Sequence, residues 1–497
     1  MRKKTAMFHA LGATTAAALF ALFAMDTASA DSLKVLHNFS GKDGLAPTGM
    51  IEASDGNFYG ATTSGGDQSG CLPPDGCGTL FRMDMSGQLQ RLHVFHKTDG
   101  YYPSGLVEGP DGKLYGVTRE GGQKGGGGGG VLFSLSPTGA DFKIDHRFVG
   151  GDTCCDGARP QPGMVLAGDG KFYGTTELGG DYRDNDHPGF GTVFRFDPAT
   201  GKIKFIHSFQ LADGNGIFPN GYVIQAKDGF IYGTTREGGS AGGGTLWKIK
   251  TDGTGFAVVT QLPNLETHSG PIQGADGNFY GTDDIGNGSV YKVDQSGNLT
   301  FVNRFDSSDG KGLFFPVTQL SDGFLYGTTE EGGLRDPQGG DVFRLSTGGK
   351  IRILHSFDSN ADSERGYIPN AKLILGTDGK LYGTTALGGK KRLGTIFRID
   401  ADDLGAVKTV SAPARIKSGH SAQGRVTLFK PAPAGGVVVN LNAGFGAASV
   451  PATVTVAEGQ TSAKFRIDTM QIGAEATIRL YGSVNGQGLR TQFVVTP

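Results

Sequence analysis

Short apolar runs alternate with polar residues along most of this chain, and the runs end at glycine, aspartate, asparagine or proline. In one stretch the runs are residues 162–166, 171–176, 191–196 and 203–209. Runs of this length that are rich in β-branched and aromatic residues and are bounded by turn residues predict β-strands. We call the four predicted strands of such a unit A, B, C and D, in chain order.

The four-strand unit recurs around a Tyr-Gly pair. An Asp-Gly dipeptide between strands A and B of every copy predicts a tight two-residue hairpin turn. Four antiparallel strands repeated at this period are typical of propeller blades. We therefore predict an all-β fold with a seven-bladed β-propeller. The tyrosines of the seven pairs are Tyr59, Tyr115, Tyr173, Tyr232, Tyr280, Tyr326 and Tyr382.

One strand of the seven units is out of sequence order. Strands A, B and C each occur seven times, but only six D strands follow them. The missing D pattern stands at residues 34–39, before the first strand A. We predict that this N-terminal strand completes the last blade and closes the ring, which would protect exposed strand edges.

The two ends of the chain differ from the repeat. Residues 1–30 combine a basic start, an apolar stretch and an Ala-Ser-Ala ending, which predicts a secretory signal peptide. The propeller is predicted over residues 31–405. Residues 411–497 contain short alternating segments that predict a small immunoglobulin-like β-sandwich. We expect a secreted, periplasmic or cell-surface protein that is a monomer, with no membrane span after signal removal.

The net charge limits the classes of molecule that the chain can bind, and the cysteine content predicts covalent cross-links. The formal net charge is −2 and becomes more negative when the basic signal segment is removed. An acidic chain binds nucleic acid poorly, so no such partner is predicted. The four cysteines of an exported chain predict disulfides. Cys71 and Cys77 bracket one loop, whereas Cys154 and Cys155 are adjacent; bridges within each pair or between the pairs both remain open.

The phrase Leu-Tyr-Gly-Thr-Thr at residues 381–385 is followed by Gly388-Gly389 and by Gly-Thr-Ile-Phe-Arg at residues 394–398. This phrase resembles the GloVer tandem repeat of bacterial secreted proteins, and the resemblance covers residues 33–400. It implies a propeller and a secreted location. The family has no assigned activity, so the resemblance implies no catalytic residue.

The B-to-C and D-to-A loops of such a propeller share one face, which we call the loop face. Their length and composition vary between copies, and function concentrates in loops on a rigid scaffold. Aromatic residues before strand A would stack on sugars or seal the joint between blades. Four copies have a carboxylate after strand B, which would bind cations, donate protons or only cap the loop: Glu120, Glu177, Glu237 and Glu330. The long third-copy insertion has oxygen ligands that suit calcium, but no complete calcium loop, so no cofactor is predicted. The candidate ligand-binding residues are Tyr102, Phe218 and Phe315, then Glu120 and Glu177, and then Asp181, Tyr182, Asp184, Asp186 and His187.

Residues that recur in most copies are interpreted as structural. This applies to the repeated tyrosine and to a histidine at one position of strand D, because one repeated position serves one packing need. The sequence contains no recognisable nucleophile or metal motif. It therefore favours a non-catalytic module that binds an extracellular glycan or protein. The alternative is a polysaccharide lyase or glycoside hydrolase that uses Glu177, Asp184 and His187.

Overall fold

The computed structural model describes most of the chain after the predicted signal segment. Residues 1–30, Cys154, Cys155, Asp184, Asp186 and His187 lie outside the described ranges. Every regular element within these ranges is a β-strand, which confirms the all-β prediction. Among the same residues no helix is long and apolar enough to cross a membrane. The described ranges are 33–66, 71, 76–123, 128–149, 156–182, 189–211, 214–306, 309–333, 339–359, 364–399, 407–428, 431–432, 435–443, 447–484 and 487–497.

The described part of residues 33–399 forms seven antiparallel sheets, which we number 1 to 7. The first strand of the chain, β1 (Leu33–Asn38), belongs to the last sheet, as predicted. Sheet 1 consists of β2 (Leu45–Glu52), β3 (Phe58–Ser64), β4 (Thr79–Met83) and β5 (Leu89–Val94), and sheet 2 of β6 (Tyr101–Glu108), β7 (Leu114–Glu120), β8 (Val131–Leu135) and β9 (Lys143–Arg147). Sheet 3 consists of β10 (Ala158–Pro160) with β11 (Val165–Leu166), β12 (Phe172–Leu178), β13 (Thr192–Asp197) and β14 (Lys202–Ser208). Sheet 4 consists of β15 (Ile217–Gln225), β16 (Ile231–Glu237), β17 (Thr245–Ile249) and β18 (Ala257–Gln261). Sheets 5 to 7 consist of β19 (Ile272–Gln273), β20 (Phe279–Asp283), β21 (Ser289–Val293) and β22 (Leu299–Arg304); β23 (Thr318–Gln319), β24 (Leu325–Thr329), β25 (Asp341–Leu345) and β26 (Ile351–Ser356); and β27 (Tyr367–Pro369) with β28 (Ile374–Leu375), β29 (Leu381–Leu387), β30 (Thr395–Ile399) and β1. Four-stranded antiparallel sheets of this kind are the units of a β-propeller.

The Asp-Gly turn differs from the predicted two-residue hairpin. In sheet 1 the N–H of Ala53 donates to the carbonyl of Asn57, and the N–H of Gly56 donates to the carbonyl of Ala53. The loop therefore has three residues, and Gly56 has a φ of 80°, in the left-handed region. A turn followed by a left-handed glycine is the common three-residue hairpin. The aspartate accounts for the difference, because Asp55 accepts hydrogen bonds from the Asn57 amide and from the Tyr59 hydroxyl.

The Tyr-Gly pair is structural in every sheet. Each repeated tyrosine is buried and donates its hydroxyl hydrogen to the turn aspartate four residues earlier, with O···O distances between 2.6 Å and 2.9 Å. The following glycine lies opposite an aromatic residue of strand C, as Gly327 does to Phe343. A β-carbon on Gly327 would lie 2.5 Å from the Cζ atom of Phe343. The glycine thus makes room for the aromatic ring of strand C.

Apolar clusters lie between neighbouring sheets, and one of them joins sheet 1 to sheet 7. In that cluster the rings of Phe58 and Tyr382 have centroids 4.3 Å apart. The corresponding rings in sheets 2 and 3, Tyr115 and Phe172, have centroids 4.6 Å apart. The first and last sheets therefore pack in the same way as two consecutive sheets.

The first and last sheets are also joined by the hydrogen bond that joins consecutive sheets. A side chain at the end of strand A accepts from the backbone of the preceding sheet's A-to-B turn. Thr377 in sheet 7 donates to Glu52 in sheet 1, with an N···Oε2 distance of 2.8 Å. The equivalent donor and acceptor pairs are Ser54 and Glu108, Gly168 and Gln225, Lys227 and Gln273, and Ala275 and Gln319.

The repeated strand-D histidine packs against the sheet. His93 stacks on Phe142 with centroids 3.7 Å apart, and its Nε2 lies 3.1 Å from the Oδ2 atom of Asp99. His207 stacks on Phe256 in the same way. These contacts confirm the structural interpretation of the repeated histidine.

The described residues of 407–497 form two further sheets around one apolar core. The predicted boundary after residue 405 falls on residues 400–406, outside the described ranges. The strands are β31 (Val407–Ser411), β33 (Ser421–Leu428), β37 (Ser462–Thr469) and β35 (Ala448–Ser449) in one sheet, and β32 (Arg415–Lys417), β39 (Gln487–Thr496), β38 (Ala476–Val484), β34 (Val437–Asn442) and β36 (Thr453–Val456) in the other.

Candidate functional site

The loop face is formed by the segments that follow strands B and D. In sheet 1 the B-to-C loop contains a disulfide between Cys71 and Cys77. This bridge confirms the local pairing that the sequence left open for these two cysteines. Cys154 and Cys155 lie outside the described residues, so their pairing stays a prediction.

The predicted carboxylates Glu120 and Glu177 lie in a network with two arginines. The Oε2 atom of Glu177 is 2.7 Å from the Nη2 atom of Arg119. Arg159 lies 3.8 Å from both Glu120 and Glu177. The hydroxyl of Tyr101 also donates to Glu120 over 2.8 Å. Because these carboxylates already have cationic and hydrogen-bonding partners, they are poorly placed to attract a charged ligand.

The predicted aromatic residues do not share one environment. Phe218 is buried in the cluster between sheets 3 and 4, whereas Tyr102 is 36% exposed. Both take a positive φ before a proline, at 56° and 57°. The carbonyl of the half-buried Phe315 accepts a hydrogen bond from the hydroxyl of Thr282. Phe218 therefore seals a joint between sheets, whereas Tyr102 presents an exposed ring.

The predicted insertion of the third copy is described only at its two ends, residues 181–182 and 189–190. Asp181 is exposed and accepts a hydrogen bond from the hydroxyl of Ser208 over 3.1 Å. Tyr182 is 45% exposed. Asp184, Asp186 and His187 lie outside the described residues, so their ligand-binding role remains a prediction.

Strand register separates residues that the sequence grouped together. Glu177 and Glu330 stand four residues after the tyrosine of their copy, whereas Glu120 and Glu237 stand five residues after it. Successive strand residues point to opposite faces. The two pairs therefore occupy different positions. The residues four after the tyrosine are, from sheet 1 to sheet 7, Thr63, Arg119, Glu177, Arg236, Asp284, Glu330 and Ala386.

Charge is distributed unequally along this set. Arg119 is paired with Glu177, and Arg236 is 2.9 Å from Glu237. In the part of the chain that the structure describes, neither Asp284 nor Glu330 has a lysine or arginine within ion-pair distance. Within the described chain, sheets 5 and 6 therefore contribute the carboxylates Asp284 and Glu330 without a paired lysine or arginine. We call this part of the loop face the acidic half.

A histidine and a second carboxylate join Asp284 in this half. In the segment before β19 the alternate residues Thr267 and Ser269 are buried, whereas Glu266 is exposed and His268 is half-buried. Thr267 donates to the carbonyl of Thr235, and the hydroxyl of Ser269 lies 2.5 Å from that of Thr282. These bonds fix the segment, so Glu266 and His268, two residues apart, lie on its other side. Asp284 follows β20 directly, next to Asp283, whose carboxylate is buried and accepts from Ser289.

The distances in this cluster are short. The donor atoms of Glu266, His268 and Asp284 all lie within 4.8 Å of one another. The Nε2 atom of His268 is 3.4 Å from the Oδ2 atom of Asp284. Its Nδ1 atom is 3.3 Å from the amide nitrogen of Asn220. The ring of Phe314 meets the imidazole edge to face, with centroids 5.4 Å apart. Glu266, His268 and Asp284 are the residues of the described chain that could hold a metal ion.

The acidic half is also unusual in its electrostatics. Burial, and to a smaller extent the neighbouring Glu331 and Asp284, together raise the pKa of Glu330 to about 7. Burial also raises the pKa of Asp284, which His268 partly opposes. Lys311 lies 2.7 Å from Glu331 but does not pair with Glu330. These carboxyls are thus held close together with little cationic compensation.

This cluster lies on the loop face, where the sequence analysis expects function, but its members were not predicted. Glu330 was recognised as one of four carboxylates after strand B, whereas Glu266, His268 and Asp284 were missed. A usable indication was present in the fifth copy. There Asp283-Asp284 replaces the Thr-containing pair of the other copies, and the segment before strand A has His268 where sheets 1 and 2 have a proline.

Comparison with known proteins identifies the repeat. A family model for the Gloeobacter/Verrucomicrobia repeat matches residues 11–216, 124–310, 182–365 and 267–432. The matches overlap and cover most of the chain. The protein therefore belongs to the Gloeobacter/Verrucomicrobia repeat family, as the tandem phrases predicted. No curated protein matches the chain.

Solved structures provide only distant likenesses. TolB from Acinetobacter baumannii is 16% identical, and the match covers 57% of this chain and 60% of the TolB chain, with a TM-score of 0.36. A fungal alcohol oxidase in complex with copper is 11% identical over 94% of this chain and 98% of its own, with a TM-score of 0.49. An α-L-arabinanase from Penicillium chrysogenum is 11% identical over 75% and 99%, with a TM-score of 0.40. None of these likenesses assigns an activity to the chain.

Proposed function

We propose that this protein is an exported, non-catalytic, seven-bladed β-propeller that binds an extracellular glycan on its loop face. Residues 411–497 would form an immunoglobulin-like β-sandwich that follows the propeller. Ring closure is supported by the link between Glu52 and Thr377, which repeats the links between consecutive sheets. It is also supported by the packing of Phe58 on Tyr382.

The observation that carries the glycan proposal is the contrast between the two halves of the loop face. Glu177 is paired with Arg119, whereas Asp284 and Glu330 lack such a partner among the described residues. Carboxylates without a cation accept hydrogen bonds from sugar hydroxyls, and these charged bonds are the stronger kind. Phe314, beside His268, offers an aromatic ring at the same place. A carboxylate pair next to an aromatic ring suits a neutral or hydroxyl-rich sugar better than an anionic one.

The experiment is a glycan array probed with the purified protein, followed by titration calorimetry on the strongest ligand. We expect a restricted set of neutral glycans to bind, and Asp284→Asn to weaken the binding. Absence of binding to every glycan would overturn the proposal. Binding to an extracellular protein but to no glycan would show that the ligand is a protein.

A second candidate function is supported by one observation. Glu330 is half-buried with a pKa raised to about 7, which is the range of a proton donor in glycoside cleavage. In this version the loop face hydrolyses or eliminates a polysaccharide, and Glu330 donates the proton. The test uses the polysaccharide that binds in the glycan array. Release of reducing ends by the wild type, and no release by Glu330→Gln, would support the enzyme. Binding without any release of reducing ends would support the non-catalytic module.

A further inference from the structure

The cluster of Glu266, His268 and Asp284 combines an imidazole nitrogen with two carboxylates. We propose that these three residues bind one divalent transition-metal ion, with zinc as the best match. The inference rests on the proposed function, because the ion would lie on the face proposed to bind the glycan. Asp284 would then bind the ion, Glu330 would remain the carboxylate that accepts hydrogen bonds from the sugar, and the ion would be a cation to which sugar hydroxyls coordinate.

The separation of the first two donors fits such an ion. Ligands lie about 2.0–2.1 Å from zinc in a tetrahedral site, so two ligand atoms are about 3.3–3.4 Å apart. The Nε2 atom of His268 and the Oδ2 atom of Asp284 are 3.4 Å apart. The third donor, on Glu266, belongs to an exposed side chain and lies within 4.8 Å of the others. A change of rotamer of this side chain would bring its carboxylate to the same separation from the other two donors.

The carboxylate of Asp284 provides an independent observation. Its Oδ1 atom is buried, and it has no hydrogen-bond partner among the described residues. A buried carboxylate oxygen without a donor is costly, because the water that it loses is not replaced. A cation bound to this carboxylate would compensate its charge, which His268 alone does only when protonated.

The histidine also has the outer partner that metal ligands usually have. An imidazole that binds metal through one nitrogen donates the hydrogen of its other nitrogen to a carboxylate, carbonyl or water. The side-chain amide of Asn220 lies 3.3 Å from the Nδ1 atom of His268. A half-turn rotation of the amide exchanges its nitrogen and its oxygen, which have nearly the same shape, and presents the oxygen to this nitrogen of His268. Asn220 would then orient the imidazole with Nε2 toward the ion.

The donor types select the ion. Calcium and magnesium prefer oxygen ligands only, whereas imidazole suits zinc and neighbouring transition metals. Three protein ligands also leave a coordination position open. This position would be taken by water or by a hydroxyl of the bound ligand.

The test is metal binding to the purified full-length protein after removal of metal with a chelator. Zinc sulfate is titrated by calorimetry in the absence of glycan, and cobalt chloride is titrated while the visible absorption of tetrahedral cobalt is recorded. We expect one zinc ion per chain, a visible cobalt band and no comparable affinity for calcium. Because no glycan is present, this result is independent of the glycan proposal.

Variants locate the ion. His268→Ala and Asp284→Asn should each weaken zinc binding by at least about 100-fold, and Asn220→Leu should weaken it by about 10–100-fold. Glu237→Gln is the matched control on sheet 4 and should leave the affinity unchanged. Circular dichroism checks that each variant is folded. Zinc affinity that is unchanged in folded His268→Ala, or calcium bound as tightly as zinc, would overturn the proposal.

Discussion

Val35 in the first strand pairs with Phe397 in the last propeller strand, so the start of the chain completes the sheet of the seventh repeat. The pairing extends from Leu33 opposite Ile399 to Asn38 opposite Thr395. It covers the edge of β30, which would otherwise expose unpaired backbone groups. The two ends of the repeat region are therefore held together by backbone hydrogen bonds as well as by apolar packing.

Deletion of residues 33–38 should destabilise the protein strongly. The deletion removes the ladder to β30 and the partly buried side chains of Leu33, Val35 and Leu36. The half-buried apolar groups alone correspond to about 2–4 kcal/mol of unfolding free energy. Denaturant unfolding of a chain that starts at Leu33 and of one that starts at Phe39 measures the difference. Equal midpoints would show that β1 does not stabilise sheet 7.

Gly327→Ala should destabilise sheet 6 by about 1–3 kcal/mol, because the new methyl group would clash with the ring of Phe343. Phe343→Leu should relieve this clash, so the double variant should lose less stability than the sum of the single variants. Gly348→Ala is the control in the same sheet, since its β-carbon would meet nothing closer than 3.9 Å. Additive effects in the double-mutant cycle would contradict the proposed packing of ring on glycine.

These packing relations show how far the sequence determines the fold. The Tyr-Gly and Asp-Gly phrases predict strand order, and the pattern of residues 34–39 predicts the closing strand. The partner of the glycine was not predicted, because the aromatic residue lies in another strand whose register is set by the hairpin between them. The acidic cluster was missed for a similar reason. Glu266 and Asp284 belong to different loops, and the bonds of Thr267 and Ser269 in the folded chain hold these loops side by side.

Asp341→Asn should make stability less dependent on pH. Asp341 is fully buried and accepts a hydrogen bond from Ser356, and burial raises its pKa to about 7. The ordinary value is 3.8. Since the folded protein holds this proton more tightly, the stability from Asp341 is complete below about pH 4 and is lost as the pH rises through about 7.

The measurement is urea unfolding at pH 5 and pH 8. The loss of stability between these values should be smaller in Asp341→Asn than in the wild type, by about 1–3 kcal/mol. Thr395→Asn, at the equivalent position of sheet 7, places an amide in the strand without removing a carboxyl group. It should keep the pH dependence of the wild type. The same pH dependence in Asp341→Asn would mean that this carboxyl does not titrate in that range.

The central claim is that ligand binding belongs to the acidic half of the loop face and not to the half in which arginines pair with carboxylates. The most direct test is the affinity of one glycan selected from the array for the wild type, Glu330→Gln and Glu177→Gln, measured by calorimetry on folded protein at pH 8, above the pKa of Glu330. We predict that Glu330→Gln weakens binding by about tenfold or more, since a hydrogen bond to a charged group contributes about 1.5–3 kcal/mol. Glu177→Gln should leave the affinity within about twofold of the wild type, because this carboxylate is already engaged by Arg119. Loss of binding in Glu177→Gln with full binding in Glu330→Gln would contradict the account.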